Sequence, residues 1–139
     1  LEHFYDKWKD DRLVVNKWLS VQAISRLPGT LKQVRKLTRH AAFDIRNPNK
    51  VRALIGTFCN ANPAQFHASN GEGYQFLADT IIELDTLNPQ IASGLLTPLT
   101  RWHRHEPARQ SLMKQQLERI LTDHKPSRDV YEIVTKTLK

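Results

Sequence analysis

Proline placement constrains this chain most, because a residue without a backbone N–H is tolerated in a helix only in its first turn. Pro48, Pro63, Pro89, Pro107 and Pro126 each stand ahead of an apolar stripe, which marks five helix starts. The fullest statement of the pattern runs from Asn47 to His67, NPNKVRALIGTFCNANPAQFH. Asn47 can accept a hydrogen bond from a first-turn N–H, and Pro48 sits where a missing N–H costs nothing. Val51, Leu54, Ile55 and Phe58 then fall at i, i+3, i+4 and i+7, the spacing of one buried helix face. Asn60, Asn62 and Pro63 close that helix and open a shorter one that turns Phe66 inward.

The rest of the chain repeats this grammar. A first helix is predicted over Glu2–Lys9, carrying the stripe Leu1, Phe4, Tyr5 and Trp8. Asp11 caps a second, in which Leu13, Val14, Lys17, Trp18, Val21 and Ile24 trace one face until Leu27-Pro28-Gly29 stops it. Thr30 caps a third with Leu31, Val34 and Leu37 on one side and Lys32, Arg35, Lys36 and Arg39 on the other. Residues 40–46 are a connection. After the turn-rich Ser69-Asn70-Gly71-Glu72-Gly73, a long amphipathic helix spans Tyr74–Leu87, with Glu83 and Asp85 on its polar side. Asn88-Pro89 opens the next, and Pro98 should kink it or end its first half. Leu112, Met113, Leu117 and Ile120 continue from Pro107, and Val130, Tyr131, Val134 and Leu138 follow Pro126-Ser127. No stretch alternates apolar and polar residues with β-branched enrichment, so no strand is predicted. The fold class is all-α: roughly eight antiparallel helices with short connections, in an armadillo- or HEAT-like superhelical array.

Length and composition suit a single domain over residues 1–139, with 40% hydrophobic and 25% charged residues. No apolar run is long enough to cross a bilayer, and no secretory leader is present, so a soluble piece without a membrane partner is expected. The chain opens at Leu1 inside a helical pattern, as a fragment of something longer would. Cys59 is the single cysteine and follows Phe58 on an apolar helix, where it reads as a buried hydrophobe. The net charge of +7 raises nucleic acid as a partner. Yet the basic residues are spread singly, no aromatic interleaves with the Lys32–Arg39 face, and a solvated surface without nucleic acid is the better account.

Residues for autonomous catalysis are missing. A zinc-peptidase helix needs two histidines four apart with a glutamate between them, and no such pair occurs. His103 and His105 diverge by about 200° on a helix of 3.6 residues per turn. Nucleophile-elbow and phosphate-loop signatures are absent as well. What remains is the start of the Asn47 helix. Asn47, Asn49 and Arg52 cluster there, where N–H groups and the helix dipole favour an anion and arginine adds a bidentate donor for a carboxylate. The plainer alternative is that Asn47 only caps and Arg52 pairs with an acid such as Asp44.

Several separated blocks, in order, resemble one family: VVNKWLSVQA from Val14, NPNKVRALIGTF from Asn47, NPAQFH from Asn62, GxGYQFL from Gly71, LNPQIAS from Leu87 and VYEIVTKTL from Val130. Together they are similar to the C-terminal helical domain of bacterial aminopeptidase N, the alanyl aminopeptidase family of HExxH zinc enzymes. The resemblance implies a parent whose zinc and catalytic residues lie in an earlier domain, with no metal or catalytic residue in this piece. It implies a helical domain that closes over the active-site cavity and admits peptides, with the upstream domains of the same chain as partners. A cytoplasmic, monomeric parent follows from the same likeness. Residue by residue, Arg52 takes the place of a family arginine that looks into the cavity. A second such arginine would fall at Gly94, which has no side chain to offer. A free-standing α-solenoid interaction module is the alternative reading.

Overall fold

The computed structural model describes residues 2–139, so the Leu1 end of the first predicted stripe lies outside the described residues. All regular elements among the described residues are helical. They fall into two compact units, one ending at Phe66 and one comprising His67–Lys139.

The first unit holds α1 (Glu2–Trp8), α2 (Arg12–Ala23), α3 (Thr30–Leu37), α4 (Pro48–Val51), α5 (Thr57–Ala61) and α6 (Pro63–Phe66). A π turn (Arg52–Gly56) joins α4 to α5 without a break in the helix. The capping signals act as the residue types require. Asp11 Oδ1 accepts from the N–H groups of Leu13 (3.1 Å) and Val14 (3.3 Å). Asn47 Oδ1 does the same for Asn49 (3.0 Å) and Lys50 (3.3 Å). The predicted face of Val51, Leu54, Ile55 and Phe58 is fully buried, and Phe58 meets Phe66 edge-on with ring centroids 6.3 Å apart.

Three details of this unit differ from the expectation. Helix α2 buries Val15, Trp18, Leu19, Gln22 and Ala23 rather than the predicted stripe. Leu13, Val21 and Ile24 are 82%, 54% and 47% exposed. The helix carries two apolar stripes that share Trp18, and periodicity cannot say which one faces the core. Gln22 disguised the inner stripe as polar, because its amide is satisfied internally by Trp18 O and by Gln33. Next, α2 ends at Ala23, well before Leu27-Pro28-Gly29, since the buried Asn62 amide takes the carbonyls of Ala23 (2.9 Å) and Ser25 (2.7 Å). Finally, Thr30 is the first residue of α3 and not its cap. Gly29, with φ +89°, makes the turn, and the Thr30 hydroxyl donates back to Ser25 O and Leu27 O.

The second unit holds α7 (Glu72–Asp85), α8 (Pro89–Gly94), α9 (Thr97–Thr100), a 3₁₀ turn (Trp102–Arg104), α10 (Pro107–Thr122) and α11 (Arg128–Leu138). Helix α7 packs on α8 and α10, and α11 packs on the same two. The shared core contains Tyr74, Leu77, Ile81, Leu84, Leu96, Leu99, Met113, Leu117, Ile120, Val130 and Val134. Asn88 caps its helix as expected. Pro126, expected in the first turn of the last helix, instead precedes it: α11 starts at Arg128 and Ser127 is its cap. The chain breaks between α8 and α9 at Leu95-Leu96, so Pro98 enters in the first turn of a new helix, where it is harmless. Helix α7 runs Glu72–Asp85 rather than Tyr74–Leu87, because the left-handed Gly71 makes the turn and the helix starts straight after it. Two burial expectations also fail. Tyr131 is 53% exposed. Asp85, assigned to the polar side of α7, is buried because the α10–α11 connection brings donors to it.

Candidate functional site

The start of α4 places Asn47, Asn49 and Arg52 together, as the sequence suggested. The Asn47 side chain takes up the N–H groups of Asn49 and Lys50, so these first-turn donors are occupied within the helix start itself. Arg52 is exposed, and its Nη1 donates to Asn49 Oδ1 at 3.5 Å. Asp44, the alternative acidic partner, accepts from the Arg46 N–H at 2.9 Å. No Arg52–Asp44 ion pair forms among the described residues.

Arg52 opens the π turn, and this local widening was not legible in the sequence. A π turn misaligns carbonyls from the helical ladder, and here three of them receive side-chain donors. Thr57 Oγ1 donates to Arg52 O (3.3 Å), Ser20 Oγ from α2 to Ala53 O (2.9 Å), and Asn60 Nδ2 to Gly56 O (3.0 Å). Ser20 and Ala53 are far apart in the chain, so only the packing of α2 on this turn could reveal the arrangement. The result fixes the backbone beneath Arg52 while its side chain faces solvent.

Gly94, where the resemblance places a second arginine, is exposed at the end of α8, and a Cβ built there meets nothing within 4 Å. Gly94→Arg should therefore be accommodated. Helix propensity favours arginine over glycine by up to about 1 kcal/mol, so the urea midpoint should hold or rise slightly.

The second unit gathers groups that the sequence did not bring together. His67 Nδ1 lies 2.7 Å from the buried Tyr74 hydroxyl, and its ring stacks on His105 at 4.5 Å between centroids. Arg109 Nε donates to His67 O at 2.8 Å while Nη1 pairs with Glu106 at 2.6 Å. Burial first, then the charges of His105 and Arg109, push the His67 imidazole from 6.5 down to about 4, against a smaller opposing pull from Glu106. The unfolded chain therefore binds the proton first as pH falls. Stability held above pH 6.5 should be lost between 6.5 and about 4, by up to about 2 kcal/mol once solvent screening is allowed for. His67→Gln should flatten this part of a pH–stability curve measured by urea unfolding.

Cys59 is buried, and burial pushes its thiol well above the ordinary range. No group of three or more His, Cys, Asp or Glu side chains among the described residues could hold a metal ion. The histidines show why. His67 and His105 face each other ring to ring, His103 lies against Trp102, and His124 is engaged with Asp85. These residues do not fit a zinc site. No helix among the described residues is long and apolar enough to cross a membrane.

Capped short helices packed in two units define the chain as a helical repeat protein. The whole of residues 1–139 matches the family model described as "Domain of unknown function (DUF3458_C) ARM repeats". The chain belongs to this family, the C-terminal ARM-repeat domain of aminopeptidase N. It is 44% identical to aminopeptidase N of Caulobacter vibrioides over 138 residues and 42% identical to that of Escherichia coli over 138 residues. In each case the match takes in 99% of this chain and 16% of the relative. Among solved structures, the crystal structure of Legionella pneumophila aminopeptidase A in complex with aspartic acid superposes with a TM-score of 0.93 at 42% identity. That match covers 99% of this chain and 16% of the other. The chain thus spans about one-sixth of the length of the relatives it matches.

Proposed function

We propose that this chain is a non-catalytic domain of a zinc-dependent aminopeptidase, closing over the cavity where the rest of the polypeptide removes N-terminal residues from peptides. The chain contributes a wall that restricts entry to peptides. Zinc and the catalytic groups belong to the remainder of the parent, which is monomeric and cytoplasmic. The observation that carries this reading is a match running from one end of the chain to the other, against relatives about six times longer.

Within that wall, Arg52 binds the carboxylate at the far end of a bound peptide, with Asn49 steadying the guanidinium and Asn47 holding the helix start. Its exposure and its single long hydrogen bond to Asn49 leave most of its five donors available. Water exclusion in a closed chamber would strengthen that pairing. Gly94 contributes no second cation, so the carboxylate depends on Arg52.

Arg52→Ala in the full-length enzyme should raise KM for tri- and tetrapeptides about tenfold, the cost of one charge-assisted contact, while amino-acid anilides keep their KM. Equal changes for both substrate types would remove the carboxylate role. Absence of N-terminal trimming by the full-length protein would overturn the parent reading itself.

A further inference from the structure

The stripe of α2 that the core leaves uncovered, together with α1, forms an apolar cleft of about 460 Å³ lined by Phe4, Trp8, Val14, Lys17, Trp18 and Val21. Phe4 and Trp8 are 43% and 39% exposed, and Leu13 and Ile24 extend the apolar surface along α2. A helix that is apolar on both sides is normally buried on both, and a contiguous apolar patch rarely faces water without a partner. We infer that this cleft is the seat of another part of the same polypeptide, a segment outside residues 1–139 that presents apolar side chains into the cleft and an acidic group to Lys17.

Two observations choose this occupant. The relatives carry about five-sixths of their length outside the matched region, so a covering segment is available at high effective concentration. A second copy is disfavoured by charge. Each chain carries +7, and Lys17 lines the cleft while Lys7 Nζ lies 5.5 Å from the Trp8 ring centre, so two such faces would meet cation to cation. The inference rests on the reading that the chain is one domain of a longer aminopeptidase, and it adds which face is the joint.

Hydroxyl-radical footprinting of the full-length protein tests it directly. Phe4, Trp8, Leu13, Val21 and Ile24 should label at least tenfold more slowly than in the unfolded protein, independently of concentration. Labelling at rates matching their exposure in this structure would overturn the inference, as would protection that vanishes on dilution, which would mark a second copy. Val21→Glu in the same protein should restore labelling of Trp8 and lower Tm, whereas Val21→Met should keep both near wild type. Unchanged Trp8 protection in Val21→Glu would also refute the docking face. Peptide trimming measured on the same samples tests the parent reading separately, since footprint protection does not depend on activity.

Discussion

Asp85→Ala should lower the unfolding free energy of the His67–Lys139 unit by about 3 kcal/mol, the cost of leaving buried hydrogen-bonding partners of a carboxylate unsatisfied. Asp85 is 4% exposed, and its Oδ2 accepts from the Ser127 N–H at 2.7 Å and from His124 Nε2 at 3.0 Å. The carboxylate therefore ties the end of α7 to the start of α11. Truncation would strand the Ser127 N–H and leave His124 facing a void. Asp85 Oδ1 and His124 Nδ1 are already buried without a partner, so the surroundings have no spare donor or acceptor to compensate. Burial alone would push the Asp85 carboxyl up. Hydrogen bonds from Ser127 and His124 outweigh that and hold it below its ordinary 3.8. A depressed carboxyl stabilises the fold above its unfolded value and loses that contribution as pH falls through the folded one, so the deficit of Asp85→Ala should shrink in acid. Urea unfolding followed by Trp102, the tryptophan of this unit, is the measurement. A loss below about 1 kcal/mol at neutral pH would mean that the contact is no better than an exposed pair.

Asn62→Ala should cost the first unit about 3 kcal/mol, through two stranded carbonyls and a lost cap, each a fraction of that sum. Asn62 is 1% exposed. Its Nδ2 donates to Ala23 O and Ser25 O, and its Oδ1 accepts from the Gln65 N–H at 3.3 Å. Asn62→Asp separates the two roles. An aspartate keeps the cap but replaces the amide donor with an oxygen facing two carbonyls, so it should destabilise at least as much as alanine. If Asn62→Asp were instead neutral, capping alone would explain the residue and the clasp on α2 would be unimportant. Trp18 fluorescence during urea unfolding reports this unit.

These two residues mark the edge of what the sequence discloses. Asn62 was legible as a helix start, because an asparagine before a proline carries its local chemistry within a few residues. Its stronger role lies 37 and 39 residues away, at Ser25 and Ala23, and no local pattern announces it. Asp85 was misread for the same reason, since an acid next to the exposed end of an amphipathic helix normally faces water. The candidate site divides likewise. Asn47, Asn49 and Arg52 are neighbours in sequence, so their proximity follows from the helix start alone, whereas the π turn beneath them depends on Ser20, which only packing delivers.

Helix starts, the all-helical class and the main buried stripe of α4 and α5 were fixed by short-range chemistry: a proline without an N–H, a carboxamide or carboxylate that accepts from one, and apolar residues spaced by a helical turn. Which of the two apolar faces of α2 enters the core, where α2 stops, and which acid is buried were decided by tertiary structure. In each case a buried polar side chain had to find its partner, Gln22 with Gln33, Asn62 with Ala23 and Asp85 with Ser127, and such a pairing exists only after separate segments have met.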